Sequence, residues 1–233
     1  NRIYVANFGS NSVSVVDGAT GAVSSTTGSV PQPAFVAVDT ANDRVYVTSN
    51  GQGLYILNAV TGGIEAGPIN TSADSRGVAV HPTTGRAYIA NHDTANPRLF
   101  VREPGGALSS MTLPAPPMNV AVNPNTNHLF ITLVTTGGDM SLLVLDAGTL
   151  QVVATVPIGP EDAGEGGQGL AVDTTLNRVF VTRYQAGQLV IVNDPGAPAT
   201  PTATMTQTRT PTRTFTRTST RTVTRTQTPT AAA

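Results

Sequence analysis

Apolar and polar positions alternate along most of this chain in short runs, among them Arg2 to Asn7, Ser12 to Asp17, Ala34 to Asp39 and Leu54 to Asn58. Each run holds four to seven residues, is rich in Val, Ile and Tyr, and stops at Gly, Pro, Asn or Asp. Period-two alternation in β-branched and aromatic residues suits a strand whose side chains point to opposite faces, and the runs are too short for helices. The pattern predicts an all-β chain of strands joined by tight turns.

The runs also recur as a group. An aromatic position returns as Tyr4, Tyr46, Tyr88, Phe130 and Phe180, at spacings of 42, 42, 42 and 50 residues. Before it comes a run of small apolar residues (Gly77-Val78-Ala79-Val80, Asn119-Val120-Ala121-Val122, Gly169-Leu170-Ala171-Val172), and after it a further alternating run. A period near forty with four strands per unit is the signature of β-propeller blades, each an antiparallel meander that cannot bury its own apolar faces alone.

Counting strands along the chain gives three, four, four, four and three. Five blades are the simplest closure, with four blades or an arc of a larger ring as alternatives. The first unit lacks an inner strand. The last lacks an outer one, and the residues after about Ala199 arrive where it belongs. Three sources suggest themselves for the inner strand: residues upstream of Asn1, a neighbouring subunit, or Gly169 to Asp173, which would reduce the ring to four. An empty inner place leaves ladder groups unpaired at about 1–3 kcal/mol per buried group.

The runs Tyr4-Val5-Ala6-Asn7, Tyr46-Val47-Thr48-Ser49-Asn50 and Tyr88-Ile89-Ala90-Asn91 resemble the YVTN-type β-propeller repeat of microbial secreted and surface-layer proteins. The resemblance covers residues 1 to about 195. It implies the architecture and an extracellular setting more than an activity, since one fold carries many functions. Phe130-Ile131-Thr132-Leu133 and Phe180-Val181-Thr182-Arg183 lack the terminal Asn.

Composition narrows the class. Of 233 residues, 39% are hydrophobic and only 12% charged, with neither Cys nor Trp. Absent cysteine excludes disulfides and thiolate metal sites. No apolar run reaches the roughly 18 residues of a membrane span. The chain begins on a strand, without Met or a signal peptide, which reads as a processed product and sets the expectation of an extracellular or cell-surface protein. Two segments follow from the pattern: a propeller over 1–195 and an extended Thr/Arg/Pro-rich tail over 196–233.

In that tail every even-numbered residue from Thr200 to Thr230 is threonine, and Arg209, Arg213, Arg217, Arg221 and Arg225 fall every fourth residue, separated by Pro211, Phe215, Ser219 and Val223. An extended chain of this sequence is a ribbon with one threonine face, and fully stretched it reaches roughly 100 Å. Composition alone favours a disordered spacer. Dense threonine with interspersed proline equally resembles an O-glycosylated stalk, making Thr202, Thr204, Thr206, Thr208, Thr210, Thr212, Thr214, Thr216, Thr218, Thr220, Thr222, Thr224, Thr226, Thr228 and Thr230 candidate sugar acceptors. All fourteen acidic residues precede the tail, so eight Arg against fourteen Asp and Glu leave the body at −6, and five Arg give the tail +5. Opposite charges favour docking, with Arg209, Arg213, Arg217, Arg221, Arg225 and Phe215 as the assembly candidates.

Catalytic motifs are missing from the reading. His81, His92 and His128 have no metal-ligand neighbours at a useful spacing, and His81 falls where other units carry the turn residues Asp39, Asn123 and Asp173. Glu161, Asp162 and Glu165 match no established calcium-loop spacing and read as a solvated loop. The eight extra residues of the longest repeat lie in Val134 to Met140 and Pro157 to Gln168, where inserted loops would carry a binding surface. The sequence thus predicts a non-enzyme without metal or cofactor. It is expected to be a structural extracellular protein that assembles with copies of itself through a glycosylated tail, without nucleic acid and without a membrane span. The alternative is a monomeric secreted ligand- or glycan-binding propeller on a stalk.

Overall fold

The computed structural model describes residues 1–135, 137–160, 169–183, 186–194 and 203–207, with 24–28 and 203–207 described as backbone only. It is an all-β array of five antiparallel sheets. The first blade has three strands, β1 (Arg2–Asn7), β2 (Ser12–Asp17) and β3 (Val23–Gly28). The second contains β4 (Pro33–Asp39), β5 (Arg44–Ser49), β6 (Gly53–Asn58) and β7 (Ile64–Ile69). β8 (Ser75–Val80), β9 (Ala87–Asn91), β10 (Arg98–Arg102) and β11 (Leu108–Thr112) form the third. The fourth consists of β12 (Pro117–Asn123), β13 (His128–Val134), β14 (Asp139–Asp146) and β15 (Val152–Pro160). β16 (Leu170–Asp173), β17 (Arg178–Arg183), β18 (Gln188–Asn193) and β19 (Ala203–Gln207) complete the fifth. Among the described residues the only helix is a 3-10 turn at Phe8–Ser10.

The strand that closes the fifth blade comes from the tail. β19 pairs antiparallel with β18, Val190 opposite Met205 and Ile191 opposite Thr204, so the outer place is filled by residues beyond Ala199, as the strand count requires. The four-blade alternative is excluded, because Leu170–Asp173 pairs with β17 and not with the first blade. In the first blade β1 is left as the innermost strand and packs beside β4, although its sequence matches the second strand of the other blades. No strand among the described residues pairs with its other edge.

Register dictates the core. Directly opposed residues share a face, so Tyr46 and Ile56 lie on one side of the second blade and Val45, Leu57, Val47 and Tyr55 on the other. Each blade presses its aromatic face on the Val/Ile face of the next. Tyr4 and Val13 pack on Val45 and Val47; Tyr46, Leu54 and Ile56 on Ala87 and Ile89; Tyr88 and Leu99 on Leu129 and Ile131; Phe130, Leu142 and Val144 on Val179 and Val181. Each fully buried branched side chain is worth about 1.5–3 kcal/mol, so stability accrues seam by seam.

Glycine permits the closest approach between inner strands. A Cβ on Gly77 in β8 would stand 2.5 Å from Asn119 Oδ1 and 2.7 Å from the Asn119 Cα in β12. The run of small residues in inner strands therefore reflects crowding near the axis. In the inserted segment 134–140, Val134 ends β13 and Asp139 and Met140 begin β14, and β14 and β15 are lengthened so that Asp139 opposes Pro160. Extra length in both partners of a hairpin is most cheaply satisfied by extending the ladder, since each added backbone group gains a partner. The acidic residues Glu161, Asp162 and Glu165 lie outside the described residues.

Candidate functional site

The chemistry of this chain is concentrated along the seams between blades. Two residues before each repeating aromatic stand Arg2, Arg44, Arg86, His128 and Arg178. At the seam between third and fourth blades, the Tyr88 hydroxyl donates to the Ala147 carbonyl at 2.6 Å. The Arg86 guanidinium donates to the Gly148 carbonyl at 2.7 Å and pairs with Glu103 at 2.8 Å. Between first and second blades the same pair recurs: Tyr4 donates to the Ala59 carbonyl at 2.6 Å, and Arg2 donates to Ala59 and Val60. Between second and third, Arg44 reaches the Pro104 carbonyl at 3.5 Å.

At the fourth seam the parts are exchanged. Phe130 has no hydroxyl and His128 stands in place of arginine. Asp194, which occupies the position of Ala59, Pro104 and Ala147, compensates by sending its carboxylate back across the seam. It meets His128 Nδ1 at 2.7 Å, accepts from the Thr126 hydroxyl at 2.6 Å, and accepts from Asn123 Nδ2 at 3.0 Å. Asp194 is buried, so these partners are what make its desolvation tolerable. It is also the last described residue before the chain leaves for β19, and its amide donates to the Asn177 carbonyl at 2.7 Å.

Electrostatics follow burial. Desolvation pushes the Tyr88 and Tyr46 phenols above their ordinary pKa. The hydrogen bond that the Arg86 guanidinium donates to Glu103 raises the Arg86 pKa. Asp17 and Asp146 are held below the usual carboxylate range, first by the amides of Thr20 and Thr149 respectively, which close the turns after β2 and β14.

Two blade faces lie at the ends of the array. On the first blade Ile3 is 53% and Val5 41% exposed, whereas the matching Val45, Val47, Ala87, Ile89, Leu129, Ile131, Val179 and Val181 are all at 0%. On the fifth, Phe180 and Ile191 are only half-buried and Arg178 is exposed, whereas Tyr46, Tyr88 and Phe130 are buried.

Polar groups also gather at the tips of the blades. Asp74 pairs with Arg76 at 2.7 Å and approaches His92 Nδ1 at 3.2 Å. This cluster lies at the same end of the meanders as the lengthened β13–β14 hairpin. Arg183, buried in the fifth blade, donates to Gln188 and to the Pro160 carbonyl, while its Nε has no hydrogen-bond partner. A cleft of about 180 Å³ between second and third blades is bordered by Arg44, Glu65, Arg102 and Pro104. Both guanidinium groups there are engaged, Arg44 with Glu65 at 3.2 Å and Arg102 with the Gly106 carbonyl at 2.8 Å. No group of three His, Cys, Asp or Glu suited to a metal occurs among the described residues, and no helix among them is long and apolar enough to cross a membrane.

The histidines anticipated from sequence separate by role. His81 Nδ1 accepts from the amides of Thr83 and Thr84, as the Asp39 carboxylate accepts from Ala41 and Asn42, so it caps a turn. His92 belongs to the Asp74 cluster and His128 to the Asp194 network. Of the tail residues, Thr204 and Thr206 lie in β19; Thr202, Thr208 to Thr230, Phe215 and the five tail arginines lie outside the described residues. Motif reading does not find the seam residues, although a basic residue, Arg or His, two positions before each aromatic is a periodic signal. Asp194 gave no such signal, because its partners are remote in sequence.

No family model matches the sequence, and no curated protein sequence matches it. Solved structures do. The chain is similar to a streptogramin B lyase structure at TM-score 0.69 and 13% identity, over 91% of this chain and 66% of that one. It is also similar to Kuenenia stuttgartiensis hydrazine synthase, with TM-score 0.67 and 15% identity over 82% of this chain and 73% of the other. The β-propeller domain of Myceliophteria thermophila Cps50 (Swd1) aligns at TM-score 0.64 and 14% identity, over 89% and 74% of the two chains. At such identities the likeness is one of fold, and the described architecture is a β-propeller.

Proposed function

We propose that this is a non-catalytic structural protein of the extracellular space that associates with copies of itself through its tail. The observation that carries the reading is β19. Ala203–Gln207, with threonine at every second position, adds to the edge of the fifth blade as a strand. The same alternation continues to Thr230, so the remaining ribbon offers the same edge-pairing chemistry to a neighbour. In the first blade one edge of β1 has no strand partner among the described residues. The +5 tail and −6 body favour the encounter. Sugars on the tail threonines would keep the ribbon extended and soluble. The resemblance of Tyr4-Val5-Ala6-Asn7 and Tyr88-Ile89-Ala90-Asn91 to the YVTN-type repeat supports this setting.

Truncation after Gln207 tests the reading, because it keeps β19 and removes the repeating ribbon. Negative-stain imaging and size-exclusion chromatography should show assemblies for the full chain and none for the truncated one; unchanged assembly rejects it. Intact-mass analysis tests the sugars, and bare threonines throughout would remove them from the account. A second reading, a monomeric ligand- or glycan-binding propeller on a stalk, draws support from the Asp74, Arg76 and His92 cluster at the blade tips. Glycan-array binding lost on Arg76→Ala would favour it.

A further inference from the structure

We infer that the cleft at the seam between the second and third blades is a binding site for a small organic carboxylate, held by Arg44 and Arg102. Such a site is independent of the self-association proposed above. The same latch is built at neighbouring seams, and at this one it fails to close.

The amides of Gly18, Ala59, Ala147 and Asp194 each donate within their own blade, to the carbonyls of Asn1, Asp43, Asn127 and Asn177, at 2.7 to 3.1 Å. That bond ties the turn down. In the third blade the matching residue is Pro104, which has no N–H, so the tie is missing there. The turn is also shorter. Its backbone bonds close from Glu103 to Ala107, one residue fewer than from Asp17 to Ala22, Asn58 to Gly63 or Asp146 to Gln151. As a result Arg44 comes only to 3.5 Å from the Pro104 carbonyl, where Arg86 donates to the Gly148 carbonyl at 2.7 Å. The Tyr46 hydroxyl, unlike those of Tyr4 and Tyr88, has no bond to the following turn among the described residues.

The gap that this leaves is the cleft of about 180 Å³. Two guanidinium groups border it against one carboxylate, Glu65, which is already engaged by Arg44 and by Asn58 Nδ2 at 2.7 Å. Arg102 is half-buried and pairs with no carboxylate among the described residues. Its Nη1 donates to the Gly106 carbonyl at 2.8 Å, one use of a group with five N–H donors. Both charges act on one spot: burial raises the Tyr46 phenol, and Arg44 and Arg102 pull it back. The cleft is thus cationic at the place where other seams put a carbonyl oxygen.

A carboxylate supplies the missing oxygen and matches the planar guanidinium fork. Ile56 and Ala66 give the cleft an apolar lining, which suits a short aliphatic chain behind that carboxylate. Drug-sized ligands occupy about 300–1,000 Å³, so the occupant of this smaller space is a short-chain acid.

The probe is sodium butyrate, titrated into the full chain by calorimetry against sodium chloride at equal ionic strength. Saturable one-site heats are expected, and in ¹⁵N-labelled protein the Nε–H resonances of Arg44 and Arg102 should shift together. Arg102→Gln should weaken binding about tenfold, the loss of one charge-assisted hydrogen bond. Arg98→Gln, which removes the same charge from the other end of β10, should leave it unchanged. Ala66→Leu narrows the cleft and keeps both charges, so it should abolish binding while circular dichroism shows the fold intact. Absence of saturable heat, undiminished binding in Arg102→Gln or Ala66→Leu, or an equal loss in Arg98→Gln overturns the site. Tighter binding of phosphate or sulfate than of butyrate overturns the carboxylate assignment.

Discussion

The Tyr88 hydroxyl, in a fully buried side chain, donates to the Ala147 carbonyl of the next blade at 2.6 Å. That bond joins residues 59 positions apart, and its counterpart from Tyr4 to Ala59 shows that it belongs to the repeat and not to one accident of packing. Tyr88→Phe should cost about 1–2 kcal/mol, close to the value of one buried hydrogen bond. The ring itself should stay in place, as Phe130 does in its own seam. Urea unfolding with an unchanged m-value would check this, and a loss below a few tenths of a kcal/mol would remove the bond from the account of stability.

Burial also makes Tyr88 and Tyr46 sensitive to base. Both phenols have folded pKa values raised above the unfolded value of about 10. Their stabilising contribution is complete below about pH 10 and is lost as pH rises through the folded values, because the unfolded chain gives up the proton first. Melting temperature should therefore fall as pH rises above about 10, and the fall should be shallower in Tyr88→Phe. An identical slope in both proteins would refute the assignment.

On the acid side Asp146 acts in the opposite sense. The amide and hydroxyl of Thr149, Asn127 Nδ2 and the amide of Gly148 all donate to its carboxylate and hold its pKa down. Its contribution is present above the ordinary carboxylate pKa of about 4 and is lost as pH falls through the lowered folded value. Asp146→Ala should lower stability at pH 7 and flatten the decline between pH 5 and 2. Thermal melts of the two proteins across that range decide it.

Asp194 holds the last seam. Asp194→Ala removes the partner of His128, Thr126 and Asn123 together, and a loss of about 3–5 kcal/mol is expected from leaving buried polar groups unpaired. Asp194→Asn should retain part of the network and lose less. Chemical denaturation monitored by tyrosine fluorescence measures both, and equal stability of the alanine variant and the wild type would reject this role for Asp194.

Gly77→Ala should be destabilising by about 1–3 kcal/mol through overpacking, since its Cβ would meet the Asn119 backbone and not a movable side-chain end alone. Gly9→Ala, where nothing lies within 4 Å of the added Cβ, serves as the neutral control. Comparable melting temperatures for the two variants would show that the inner strands separate more easily than their contact implies.

Much of this was legible in one dimension because strands and turns are local. Period-two alternation, Gly and Asn at turns, and the spacing of Tyr4, Tyr46, Tyr88, Phe130 and Phe180 are properties of neighbouring residues and their repetition. They were enough to yield the strand order, the five units, the turn cap at His81 and the arrival of a tail strand at the last blade. Less was legible where a choice depended on what lies alongside. Val134 to Met140 reads as an inserted loop, and only the pairing of Asp139 with Pro160 shows that β14 and β15 take up part of the extra length.

Alternation along the chain thus decided which residues become strands and which two faces each strand owns. Stacking decided which faces are covered: it buried Val45 and Val47, left Ile3 and Val5 at the surface, and brought Asp194 to His128 from 66 positions away. The reason is that period-two patterning specifies a side of a sheet but not its neighbour. The neighbour exists only once whole blades, each built from about forty residues, are laid face to face.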